Sequence, residues 1–291
     1  MTRPSERPDE DPATAPEAES VLGMVQEVVS PTAAGHTDTS AVVVDLDQVA
    51  PPPSGASPIR YTIACVTGSL AFALLTIWVT RQGTVIPGLD ERVHAWVISH
   101  RTSADTTFAR AVTWGGVTTV TLPALIAVGA LAGGNGADLR RRLGAGLLLS
   151  GIASGGVYLG LRINASVGRA RPSPLDWAGT AGGPAFPSGH TTAATLFAAS
   201  CAWALTARVR AGWPRRAVWA GAAAYAALVG WSRIWLGVHW PTDVAAGWLY
   251  GLAWFTGTSA VILALRHRTT RPRPRPEPGP GHRSRSTTDE P

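Results

Sequence analysis

The sequence predicts an all-helical membrane protein, a bundle of six transmembrane helices with an interfacial amphipathic helix and disordered tails. Three observations predict it. Hydrophobic residues make up 45% of the 291, and they gather in uncharged runs close to the roughly 20 residues that cross a bilayer core. All 25 basic residues are arginine, and three arginine-rich segments fall where every second connection would be, as the positive-inside rule expects. Outside residues 59–265 the composition turns polar. The tail 1–58 carries two arginines against ten acids and no aromatic residue, too little apolar surface to fold alone. The tail 266–291 is Arg-Pro rich, with seven arginines against three acids, and is expected to be extended and drawn to anionic headgroups.

Taken in order, the first apolar run is Tyr61 to Val79, stopped by Arg81. No apolar signal core lies near Met1, so this run is expected to act as an uncleaved anchor. Residues 84–113 space Leu89, Val93, Trp96 and Val97 at helical intervals among Asp90, Glu91, Arg92, His94, His100 and Arg101, the pattern of a helix lying at the membrane surface. Asp90 stands one turn before His94, so the two could pair and, with His100, belong to a site. Without a third suitably spaced partner, His94 reads instead as an ordinary polar-face residue and His100 as a helix-end one. The remaining spans are Val117 to Leu131, Leu143 to Leu161, Thr191 to Ala207, Ala217 to Trp231 and Val244 to Leu265. Gly151/Gly155, Gly156/Gly160 and Gly247/Gly251 offer small-residue strips for close helix contact. Cys65 and Cys201 lie inside spans and make neither a disulfide framework nor a metal-ligand pattern, so no metal or cofactor is expected.

With Arg140 to Arg142, with Arg208, Arg210, Arg215 and Arg216, and with the tail after Arg266 on the cytoplasmic side, six crossings put both termini there. The outward connections 162–190 and 232–243 then hold three polar clusters on one face. Gly168-Arg169-Ala170-Arg171-Pro172 supplies two guanidinium groups suited to phosphate. Pro187-Ser188-Gly189-His190 opens an apolar run, with Ser188 a candidate N-cap and the first-turn N–H groups an anion seat. Ser232 to Asp243 adds Arg233, His239 and Asp243. Pro241 suits a first helical turn, which sets His239 and Asp243 about one turn apart, where a carboxylate can fix the imidazole tautomer.

These clusters resemble the motifs of the type-2 phosphatidic acid phosphatase superfamily: Lys-x6-Arg-Pro, Pro-Ser-Gly-His and Ser-Arg-x5-His-x3-Asp. The second and third match in full. In the first, Arg171 and Pro172 fit, Asn164 stands where the lysine belongs, and Arg162 or Arg169 are the cations nearby that could replace it. The resemblance implies a metal-independent hydrolysis of a lipid phosphate. In it His239 attacks phosphorus, Asp243 steadies the ring, His190 protonates the leaving oxygen, and Arg171, Arg233, Ser188, Gly189 and Arg169 hold phosphate oxygens. Phosphatidic acid and undecaprenyl diphosphate are both open as substrates. A catalytically silent binding protein, a transporter and a vanadate-using haloperoxidase are the competing readings. Nucleic acid is not an expected partner, because the basic tail has no aromatic residues for stacking.

Overall fold

The computed structural model describes residues 55–82, 88–132 and 139–269, the side chains of Arg141 and Thr269 excepted. Most of both tails lies outside the described residues. Among the described residues the protein is all-helical, without a strand.

α1 (Pro58–Arg81) begins with proline in its first turn and buries only Val79. It lies along α8 (Pro241–Thr269), where a Cβ at Gly68 would just touch Ala253 and one at Gly257 would press on Cys65 Sγ at 2.9 Å. Small residues therefore set how closely these two helices run.

The amphipathic stretch forms two helices rather than one, α2 (Leu89–His100) and α3 (Ser103–Thr113). Thr102 breaks them apart: its backbone is extended and its hydroxyl accepts the Asp105 N–H while Asp105 accepts its own N–H, a capping box that starts α3 anew. A 3-10 turn, Trp114–Gly116, leads into α4 (Thr118–Ala132), and α3 and α4 meet at 57°.

α5 (Leu139–Val167) reaches six residues beyond the expected span and so carries Arg162 and Asn164 on a helix. α4 and α5 nearly touch backbones, since a Cβ at Gly129 would fall 2.5 Å from the Gly146 Cα. α6 (Gly189–Thr206) is the central helix, with thirteen of its eighteen residues buried and α4, α5, α7 and α8 packed around it. Gly247 and Gly251 of α8 seat on Thr191 and Thr195 of α6. The strip at Gly156 and Gly160 faces Trp254 and Tyr250, whereas Gly151 faces open space. α7 (Trp213–Trp235) extends far enough to place Arg233 in its last turn.

By length and composition α1, α5 and α8 can each cross a membrane, and the bent pair α3 and α4 would make a fourth span. At one end of the bundle Arg208 Nε donates to the Ala132 carbonyl at 2.7 Å, and Tyr61 packs edge-on against Trp203 and Phe255. The opposite end gathers α2, α3, the 168–188 connection and the N-termini of α6 and α8.

Candidate active site

His239 lies in the short connection between α7 and α8, 1% exposed. Gly237 shapes that connection with a φ of +72°, and a side chain there would meet the Asp176 carbonyl at 2.6 Å. The start of α8 at Pro241 brings Asp243 back one turn, and its Oδ2 accepts the Trp240 N–H at 2.9 Å and faces His239 Nδ1 at 3.4 Å. On the other side of the ring, Arg171 Nη1 donates to His239 Nε2 at 2.8 Å. A guanidinium has no lone pair to offer, so Nε2 is the acceptor and Nδ1 carries the proton toward Asp243. Burial, then the cations of Arg171 and Arg233, hold this imidazole well below its usual range. His239 is therefore neutral, with its Nε2 lone pair pointed at an arginine.

Arg171 is a clamp as well as a cation. Its Nε donates to the Gly183 carbonyl, Nη2 to those of Gly182 and Pro184, and Nη1 also to that of Val238. These bonds tie the 168–188 connection to the histidine segment. The connection is anchored below by fully buried Phe186, which stacks on Phe72 of α1 at 6.0 Å.

Ser188 is the N-cap residue of α6 by position, but its side chain makes no cap bond. Its hydroxyl oxygen instead accepts from Thr191, and its N–H donates to the Asp243 carbonyl at 3.0 Å. The N-termini of α6 and α8 are thereby stitched together. Gly189 is exposed, with open space where a side chain would stand. His190 is half-buried beneath the 3-10 turn: a Cβ at Gly116 would come within 2.8 Å of its Cβ and carbonyl oxygen. The charges of Arg233 and Arg171 reach it. Arg233, 3% exposed, donates to Thr113 at 2.7 Å and so fastens α3 to α7.

Two predicted members sit differently. Arg169, expected among the phosphate ligands, has its guanidinium shared between two buried carboxylates, Asp243 and Asp90. Its side chain is 1% exposed, so these anions already occupy the role a phosphate would take. Arg162 is exposed and about 200° around α5 from Asn164, by helix geometry, so it leaves the helix on a different face from the motif position. Asn164 donates its amide to the Pro184 and Pro187 carbonyls at 3.0 and 3.2 Å, bracing the loop and bringing no charge.

Sequence reasoning weighed Asp90 only as a partner for His94 and left it out of the site. It is fully buried, accepts from Arg169 at 2.7 Å, and takes both the N–H and the hydroxyl of Thr242, at 3.1 and 2.6 Å. Nor do Asp90 and His94 pair, because His94 Nε2 meets Asp176 at 3.1 Å with its ring against Trp240. No local pattern pointed to this role, because the partners of Asp90 lie 79 and 152 residues away in the chain.

Arranged together are a neutral imidazole, a carboxylate behind it, a second histidine, two arginines and a helix N-terminus. Residues 142–275 match the PAP2 superfamily, and all three motif clusters fall in that segment. A stretch of 96 residues is 35% identical to an undecaprenyl-diphosphatase of Sulfolobus acidocaldarius, covering 31% of this chain and 36% of that protein. Another of 120 residues is 33% identical to a lipid A 1-phosphatase of Rhizobium johnstonii, covering 37% and 45%. The chain thus spans less than half the length of these curated relatives. The crystal structure of a transmembrane PAP2 type phosphatidylglycerolphosphate phosphatase from Bacillus subtilis shares the fold, with a TM-score of 0.59 at 24% identity over 72% of this chain and 98% of that one.

Proposed function

We propose that this chain, a PAP2 superfamily sequence over residues 142–275, is a membrane phosphatase that removes phosphate from a lipid at the outer interface through a phosphohistidine. The observation that carries the reading is the state of His239: Nδ1 faces Asp243 and Nε2 faces the Arg171 guanidinium. Nε2 attacks phosphorus as the P–O bond to the lipid breaks, and the departing oxygen takes a proton from His190. Asp243 stabilises the positive ring that results. Water then attacks phosphorus as the N–P bond breaks and gives a proton to His190, releasing inorganic phosphate and restoring both imidazoles.

Arg171, Arg233 and the first-turn N–H groups of α6 at Gly189 hold the nonbridging oxygens as charge develops. Ser188 supports them by holding the N-termini of α6 and α8 together. Arriving phosphate oxygens compete for Arg171 Nη1 and so uncover the Nε2 lone pair, which couples substrate binding to release of the nucleophile.

Six crossings, counting α3 with α4 as one bent span and adding α6 and α7, set this site at one membrane face with both termini on the other. A lipid whose chains stay in the bilayer can then present its headgroup. The relatives named as undecaprenyl-diphosphatase and lipid A 1-phosphatase make lipid mono- and diphosphates the substrate class to assay. Asn164 favours the monoester, since the position contributes no cation for a second phosphate.

Purified protein in detergent with a chelator present should release phosphate from phosphatidic acid or undecaprenyl diphosphate, and labelled phosphate should be trapped on His239 but not on His239→Ala. Full turnover in His239→Ala removes the mechanism. The second reading is a lipid-phosphate binder without turnover, favoured by the neutral Asn164. It predicts retained binding and no hydrolysis of either lipid.

A further inference from the structure

We propose that Asp90 is a positioning residue for this reaction: through Arg169 and Thr242 it sets the Asp243 carboxylate in the orientation that aims His239 Nε2 at phosphorus. The proposal deepens the functional reading above and rests on it. Asp90 lies on α2, outside the segment 142–275 that matches the PAP2 superfamily.

Every oxygen in the cluster has a defined partner. Asp243 Oδ1 accepts from Arg169 Nη1, which leaves Oδ2 for the Trp240 N–H and His239 Nδ1. Arg169 Nη2 goes to Asp90 Oδ2 at 2.7 Å. Thr242 is the second strut: its hydroxyl accepts from Arg169 Nη1 at 2.7 Å and donates to Asp90 Oδ2 at 2.6 Å, while its N–H donates to Asp90 Oδ1 at 3.1 Å. The Trp240 ring closes over the guanidinium, 5.9 Å from its centroid. The planar fork therefore transmits the placement of one carboxylate to the other, and the chain ends on the nucleophile.

A buried ionic cluster of this kind is poorly explained as a stability device. Side chains of Asp90, Arg169 and Asp243 are each at most 1% exposed, and desolvating such groups costs about what their attraction returns. What the cluster provides is direction and charge. Two carboxylates around one guanidinium leave a net negative charge behind His239, suited to the cationic ring that the phosphohistidine step creates. Removing the Asp90 charge frees Arg169 to draw Asp243 toward itself and away from the imidazole.

The test uses the full chain in detergent. Asp90→Asn should lower kcat by about 10- to 100-fold, the cost of misplacing a reacting group, with KM little changed because Asp90 does not meet the phosphate. Asp90→Glu should recover part of the loss. Asp90→Asn combined with Arg169→Gln should be no slower than Arg169→Gln alone, because both act along one path. Independently of turnover, proton and nitrogen-15 shifts of His239 Nδ1–H should report its hydrogen bond to Asp243 in the parent protein and a weakened one in Asp90→Asn, with Nε2 the acceptor from Arg171 in both. Should Asp90→Asn not fold, Asp90→Glu carries both readouts, with a smaller kcat loss and a smaller change of the Nδ1–H shift expected. Unchanged kcat, a change confined to KM, losses that multiply in the double variant, or an unaltered Nδ1–H shift would each overturn the proposal. A parent protein inactive on every lipid phosphate defeats the functional reading instead, and the Nδ1–H comparison still decides the role of Asp90.

Discussion

Arg171 carries more geometry than any other side chain at the site, donating to four backbone carbonyls and to His239 Nε2. Lysine preserves the charge but has no planar fork. Arg171→Lys is expected to raise KM for the lipid phosphate at least ~10-fold, about 1.4 kcal/mol of binding, measurable in the phosphate-release assay. His239 has a consequence for pH. Its folded pKa lies below the ordinary value, with burial first among the causes, so the unfolded chain binds its proton near pH 6.5 while the folded chain does not. Stability from this group is intact above about pH 6.5 and declines as pH falls through that value. Thermal unfolding in detergent should occur at lower temperature at pH 5 than at pH 7, and His239→Asn should flatten the difference. The spacing of His239 and Asp243 was legible in sequence because one helical turn fixes it. The bond from Asp90 to Arg169 was not, because it joins residues 79 apart through a fold that no local pattern specifies.

Elements were legible in type and less so in extent. Apolar runs marked the helices, but the polar ends of α5 and α7 carried the chain further than hydropathy reached, placing Asn164 and Arg233 on helices. The capping box at Thr102 was written in the sequence as Thr-Ser-Ala-Asp, and an apolar periodicity running across it concealed the break between α2 and α3. Helix contacts depended on which glycines face a neighbour. Gly146 belongs to no G-x3-G strip, yet with Gly129 it makes the tightest approach, between α4 and α5. Gly151 belongs to one and faces open space. Gly146→Leu must push against the Ile126 backbone and should destabilise the bundle by about 1–3 kcal/mol or more. Gly151→Leu should leave it nearly unchanged. Fluorescence-detected size exclusion after graded heating would separate the two.

For the whole molecule, the two ends differ in how they use their arginines. At the site end, Arg169, Arg171 and Arg233 are held by named partners in the protein, and Arg110 donates to the Ala178 carbonyl. All five described acids, Asp90, Glu91, Asp105, Asp176 and Asp243, lie at that end. The other end carries Arg208 and Arg210 in the connection from α6 to α7 and Arg215 and Arg216 in the first turn of α7, with no acid among the described residues there. The positive-inside rule weighs such short basic segments, and on that rule the site is expected to face outward. Single cysteines test this in a background with Cys65 and Cys201 replaced by alanine. Leu175, 95% exposed beside the site, and Ala211, exposed in the arginine-rich connection, are the positions to use. A membrane-impermeant maleimide on intact cells should label Leu175→Cys and spare Ala211→Cys until the membrane is permeabilised. The reverse pattern would turn the site to the cytoplasm, where a lipid phosphate of the inner leaflet would have to be the substrate. The chemistry around His239 would stand in either case, because it depends on the bundle's end and not on which compartment that end faces.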